Sequence, residues 1–122
     1  MRGGCEPYTN PLIPAKAGIQ IIDLRRRMSF YVYIVANTRN GTIYTGMTDD
    51  LARRIYEHKS KAIRGFTSRY GCDRLVWYEV CDTREGAFLR ERQLKEWRRS
   101  WKLMLIEADN PTWADLYEIL NG

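Results

Sequence analysis

Two short aromatic and β-branched runs separated by an asparagine–glycine pair constrain this chain more than any other feature. FYVYIV, residues 30–35, has the composition of a strand throughout. Asn40-Gly41 follows, and both residue types tolerate the positive φ of a tight reversal. The spacing therefore predicts a β-hairpin whose return strand runs from Thr42 to Met47. Period-two alternation places Tyr31 and Tyr33 on one face of the first strand and Val32 and Ile34 on the other. On the return strand Tyr44 and Gly46 share a face, opposite to Ile43 and Thr45.

Beyond the hairpin the period changes to that of a helix. Thr48 or Asp49 can cap an element that begins near Asp50 and runs to about Lys61. Leu51, Ile55 and Ala62 lie on one side of it, and Arg54 and His58, four residues apart, share a neighbouring face. A glycine-bearing loop, residues 62–71, leads to a strand from Arg74 to Cys81. Asp82 or Thr83 caps a second helix to about Arg99, and Ser100 restarts a third through Ala108. Asn110-Pro111 interrupts, and Thr112 caps a last helix through Leu120. The order β-β-α-β-α-α-α describes an α/β domain, a small three-stranded antiparallel sheet flanked by helices, over residues 28–122.

Residues 1–27 differ. Gly3-Gly4, Pro7, Pro11, Pro14 and Gly18 punctuate them too often for a long element, and no hydrophobic period persists. They read as a disordered extension upstream of a native start at Met28; the competing reading is a flexible arm whose Arg25, Arg26 and Arg27 touch nucleic acid. At 122 residues, 44% hydrophobic and 29% charged, the chain has the size and balance of one soluble globular domain. No apolar run approaches the roughly 18 residues of a membrane span. Three cysteines without C-x-x-C spacing read as reduced thiols in a cytoplasmic protein and make a zinc site improbable. The net charge of +5 is unevenly placed. Between Arg53 and Arg74 seven basic residues face only Glu57 and Asp73, and such concentration is a better sign of phosphate binding than net charge.

The order of these residues resembles the GIY-YIG nuclease superfamily, in particular its small standalone bacterial proteins related to the N-terminal domain of the excinuclease C subunit. Tyr31-Val32-Tyr33 stands where the family writes GIY, and Tyr44-Thr45-Gly46 where it writes YIG. Arg54-x-x-x-His58, GFTSRYG, REGAFLRERQLKEWRRSWK and NPTWADLY continue the match in order. The resemblance implies the GIY-YIG endonuclease fold and a metal-dependent endonuclease of DNA, with RNA left open as substrate. Repair, recombination and mobile-element processing are all compatible roles. It implies Tyr44 as the first candidate base with Tyr33 beside it, Arg54 and His58 as their partners, and Glu91 as the ligand of Mg²⁺ or Mn²⁺. Met47 stands where excinuclease-type members place a lysine, so either a second cation such as Lys59 or Arg69 compensates or the site works with one. Asn110 is a weak candidate for a family asparagine beyond the glutamate. The chain has no separate DNA-reading module, so a protein partner for targeting fits the resemblance.

Elementary chemistry agrees with this set. Phosphodiester hydrolysis needs a deprotonated water, positive charge on the phosphoryl oxygens and help for the leaving oxygen. A single carboxylate such as Glu91 suits Mg²⁺, which keeps several waters. Arg54 offers a permanently charged fork matched to phosphate. Tyrosine, with a reference pKa near 10, serves as a base only where a cation stabilises the phenolate, and His58 can bond a tyrosine or take the proton itself. Lys59, Lys61, Arg64 and Arg69 are the candidate nucleic-acid contacts. The bland readings are cross-strand aromatics for Tyr31, Tyr33 and Tyr44, an Asp50 pair for Arg54, and a surface i, i+4 pair of Glu91 with Lys95. A different class of function, a nucleic-acid-binding module that does not cut or a subunit that needs a partner, would use Arg53 to Arg74 and Arg90 to Lys102 on phosphates.

Overall fold

A computed structural model describes residues 29–121; the extension 1–27 lies outside them. Three strands, β1 (Phe30–Ala36), β2 (Ile43–Thr48) and β3 (Arg74–Cys81), form an antiparallel sheet in the order β2-β1-β3. The hairpin register pairs Tyr33 with Gly46 and Val35 with Tyr44, while on the other side Tyr33 faces Tyr78. A bulge between Ile34 and Val35 shifts the β1–β3 register, so Ile34 pairs with Trp77 but Val35 with Leu75. The hairpin loop is wider than a two-residue turn. Asn40 alone takes positive φ (60°), and Gly41 is needed for space, because a Cβ there would lie 2.1 Å from Asn37 Oδ1, which accepts the Thr42 amide.

Alternation along the strands makes two cores. Phe30, Val32, Ile34 and Ala36 point to one face, where α3 (Arg84–Glu96) and α4 (Arg99–Asp109) bury Ala87, Leu94, Leu105 and Ile106 against Val76, Trp77 and Trp113. Tyr33 and Val35 point to the other, covered by Leu51 and Ile55 of α1 (Leu51–Lys59) with Leu75 and Cys72. The short α5 (Tyr117–Asn121) follows the chain's return onto this face, where Leu116 and Tyr117 pack. Asp50 caps α1 by accepting from the Arg53 amide, and Thr83 caps α3 through the Gly86 amide.

Three expectations need correction. The loop 62–71 contains a one-turn helix, α2 (Phe66–Tyr70), framed by Gly65 at φ 121° and Gly71 at φ 70°, two positions where only glycine sits without strain. The last helix begins five residues after its expected cap, because Trp113 turns left-handed (φ 60°) to enter the core and Asp115 Oδ1 accepts the Leu75 and Tyr117 amides. Cys72 is a buried free thiol, whereas Cys81 is disulfide-bonded, so the reduced-thiol reading holds for the first and fails for the second. No helix among the described residues is long and apolar enough to cross a membrane.

Candidate active site

The site is built around one contact in the sheet. Tyr33 and Gly46 face each other across the hairpin, and a Cβ on Gly46 would fall 2.6 Å from the Tyr33 hydroxyl and 2.7 Å from Cζ. The glycine therefore leaves the space in which the tyrosine ring crosses the neighbouring strand. Lying there, Tyr33 is 1% exposed and its hydroxyl reaches His58 Nε2 at 2.9 Å. His58 Nδ1 in turn meets Thr67 Oγ1 of α2 at 3.0 Å. Arg54, one turn before His58 on α1, lies close enough for its charge to bear on the Tyr33 hydroxyl, and its Nε donates to Glu57 Oε1 at 3.2 Å. The Asp50 pair is therefore not the one Arg54 makes.

Protonation in this chain follows from burial and donor count. Burial outweighs the Arg54 bond and charge and pushes the Tyr33 phenol up to about 12, with the Tyr44 and Glu91 charges acting in the same direction as burial. Burial, then the Arg54 charge, pushes His58 below its ordinary value, so the imidazole is neutral at pH 7. Tyr33 Oη, the two ring nitrogens of His58 and Thr67 Oγ1 form one buried chain, in which the His58 tautomer sets which nitrogen donates and which accepts. Burial opposes the Arg54 charge, but the Tyr33 bond and Glu57 together hold its pKa above the ordinary value.

Tyr44 is half-buried, whereas Tyr33 is closed off from solvent. The Tyr44 ring stands edge-on to His58 at 6.2 Å and stacks on Phe66 at 5.9 Å. Lys95 Nζ lies 5.5 Å from the ring centroid and is 3.0 Å from Glu91 Oε2. The structure thus brings Tyr33, Tyr44, Arg54, His58 and Glu91 together, although Glu91 comes from a helix packed on the opposite core. Glu91 is close enough for its charge to bear on Tyr33. Among the described residues no three His, Cys, Asp or Glu side chains form a metal cage, so an ion here would take one protein carboxylate.

The expected nucleic-acid contacts divide. Arg64 and Arg69 are exposed, with Arg69 over the Tyr70 ring at 5.6 Å, and Lys61 Nζ is 3.9 Å from Asp73. Lys59 is committed elsewhere: it donates to Asp115 Oδ2 and, at 2.9 Å, to the Asp73 carbonyl, with its Nζ 5.2 Å from the Tyr117 ring centroid. Lys59 is thus committed to Asp115 and the Asp73 carbonyl, whereas Arg69 keeps its exposed guanidinium. Asn110 is structural, since Nδ2 donates to the Val76 and Ala114 carbonyls and Oδ1 accepts the Ala114 amide. Arg90 cannot touch a phosphate, being wholly buried and paired with Glu79 at 3.0 Å. Thr67 and Lys95 belong to the site although sequence reasoning does not single them out. Nothing in the local sequence marks Thr67, whereas the i, i+4 spacing of Glu91 and Lys95 is visible but reads as a surface pair.

A tyrosine seated on a cross-strand glycine, with a histidine, an arginine and a glutamate around it, is the arrangement this hairpin builds. The GIY-YIG catalytic domain matches residues 29–104, and the chain belongs to that nuclease family, whose substrates are nucleic acids. It is 38% identical over 95 residues to the UPF0213 protein DP2720 of Desulfotalea psychrophila, covering 75% of this chain and 83% of that protein. The UPF0213 protein HQ_3675A of Haloquadratum walsbyi is 38% identical over 77 residues, 63% of this chain and 85% of its own length. The solution structure of the UPF0213 protein BH0048 from Bacillus halodurans is 32% identical and covers 72% of this chain and 93% of that one, with a TM-score of 0.46.

Proposed function

We propose that this chain is a metal-dependent endonuclease that hydrolyses phosphodiester bonds in DNA. The observation that carries the reading is the convergence of Tyr44, Arg54 and Glu91 on the Tyr33–His58 pair. The donor set fits Mg²⁺ or Mn²⁺: one half-buried carboxylate, Glu91, outside any cluster of three ligating side chains among the described residues, suits an ion that keeps most of its waters. When bound there, the ion supplies positive charge to a phosphoryl oxygen and makes water more acidic.

The residues of the chain do the rest. Tyr44, once its own phenol proton has gone to solvent, accepts the proton of the attacking water; it is the half-buried tyrosine of the set and stands edge-on to His58. Tyr33 is a positioning residue. A phenol held at about 12 and closed off from solvent does not deprotonate a water; it fixes the orientations of Arg54 and His58. Arg54, 38% exposed and lining a small polar cleft with Thr48, Asp49 and Glu57, presents its remaining N–H groups to a non-bridging phosphate oxygen. The proton then leaves Tyr44 for solvent, and His58, with its two ring nitrogens bonded to Tyr33 and Thr67, keeps Tyr33 in place.

Incubation with a panel of labelled DNA and RNA structures, with and without Mg²⁺, tests the reading against Glu91→Ala. Cleavage of DNA by the wild type that needs the ion and disappears in the variant is expected. Equal cleavage by the two proteins would overturn the metal assignment.

A further inference from the structure

Lys95 has a placement that an ordinary surface ion pair does not need. Its ammonium bridges two groups, 3.0 Å from Glu91 Oε2 and 5.5 Å from the centre of the Tyr44 ring, and so lies between the candidate metal ligand and the candidate base. The pair is unequal. Glu91's side chain is 15% exposed, while Lys95's is 47% exposed on a flexible four-carbon stem. Arg99 and Lys102 stand nearby, and the Lys102 ammonium is pushed down by burial and then by the charges of Arg99 and Lys95. Arg99 is anchored to the hairpin, donating to the Asn40 and Gly41 carbonyls at 3.0 and 2.7 Å. Met47, beside Gly46, faces the other core and supplies no charge to the site.

We propose that Lys95 is the second cation of this site, holding the Glu91 carboxylate until a divalent ion takes it and then meeting the substrate phosphate beside Tyr44. The inference rests on the nuclease reading only for its second half. An ammonium and a divalent ion on the same carboxylate repel each other as like charges, so they compete for it. Once displaced, the lysine needs only rotamer changes to turn toward another anion, and beside Tyr44 that anion is a phosphate.

Isothermal titration of Mn²⁺ into the nucleic-acid-free protein separates this role from the bland one, with melting temperature as the fold control. Lys95→Met is expected to bind Mn²⁺ about two- to five-fold more tightly, from the worth of an i, i+4 pair to the upper end for an exposed ion pair. At saturating metal the same variant should cleave about ten- to a hundred-fold more slowly, and Lys95→Arg should recover part of the rate. Weaker or unchanged Mn²⁺ binding overturns the proposal, since it makes Lys95 an orienting partner of Glu91 or a solvated charge. Tighter binding with an undiminished cleavage rate overturns the phosphate role. A wild type that cleaves nothing would remove the nuclease reading, and the Mn²⁺ titration alone would then decide whether Lys95 competes for Glu91.

Discussion

Arg54 and Arg90 are the same residue type on helices either side of one sheet, each bonded through Nε to a glutamate, at 3.2 Å to Glu57 and 3.0 Å to Glu79. Their surroundings make them different objects. The Arg54 side chain is 38% exposed, borders a polar cleft and shares itself between Glu57 and Tyr33. Arg90 is fully buried between Trp77 and Trp97, with ring centroids 5.9 and 5.5 Å from its Cζ, bonded to Glu79 and Gln93 and with Nη2 left without a hydrogen-bond partner among the described residues. A cation that keeps solvent on one side can exchange partners when a phosphate arrives. One sealed in a core cannot, because leaving its glutamate strands a buried charge.

The sharpest way to break the comparison is to remove each arginine. Arg54→Ala should lower cleavage by about two to three orders of magnitude, the scale of a lost transition-state donor, with a small change in melting temperature. Arg90→Ala should do the reverse. It should cost about 3–5 kcal/mol of stability and leave the activity of the folded fraction unchanged, and Arg90→Met with Glu79→Leu should recover most of the loss. Chemical denaturation beside single-turnover cleavage measures both. An Arg90→Ala protein that melts normally but cuts poorly would erase the distinction.

Gly46→Ala comes next. Its methyl group has nowhere to go but into the Tyr33 hydroxyl, 2.6 Å away, so the ring must tilt and loosen its bond to His58. Overpacking of this kind costs about 1–3 kcal/mol, and cleavage should fall by more than stability accounts for. Wild-type activity in Gly46→Ala would show that the tyrosine's seat on the glycine is a packing matter only.

The two arginines also show what was legible in the chain. Arg54 could be found because helical spacing ties it to His58 and because the Arg54-x-x-x-His58 pair follows the two tyrosine triplets in the order of the family. Arg90 could not be placed by spacing alone. It lies between Ala87 and Leu94 on the buried stripe of α3, but a charged residue there reads as polar surface until Glu79 is known to lie opposite, eleven positions away. The strands and most helix starts followed from period and caps. What escaped depended on contacts between distant segments: the helix around Thr67, the left-handed turn that buries Trp113, and the Asp115 bond that removes Lys59 from the phosphate-facing set.

A smaller effect sharpens the electrostatic side. Because His58 is held below its ordinary pKa in the fold, the unfolded chain binds its proton first as the solution is acidified. His58 therefore contributes stability that is complete above about pH 6.5 and is lost as the pH falls through the folded value. His58→Gln should flatten the acid limb of the stability curve. Arg54→Ala should shorten that limb and reduce the loss, since the Arg54 charge is one of the two causes of the depression. Identical acid limbs for the wild type and His58→Gln would place the titration elsewhere.

The smallest expected change concerns the outer cations, where the same contrast of free and committed charge recurs. Arg64 and Arg69 are exposed on the α1–α2 side of the cleft, whereas Lys59 is tied to Asp115, whose carboxyl stays below its ordinary pKa despite burial because of Lys59 and the Tyr117 and Leu75 amides. If phosphates lie along this side, Arg64→Ala and Arg69→Ala should each reduce the slope of log affinity against log salt by about one and weaken binding evenly across sequences. Lys59→Ala should leave that slope alone and lower stability instead, by the loss of an ion pair and of a bond to the Asp73 carbonyl. Lys61, within 3.9 Å of Asp73, should fall between them. Filter binding of Glu91→Gln to labelled DNA over a salt series reads the slopes without cleavage. A Lys59 variant that changes the slope while Arg69 does not would put the substrate on the opposite side of α1.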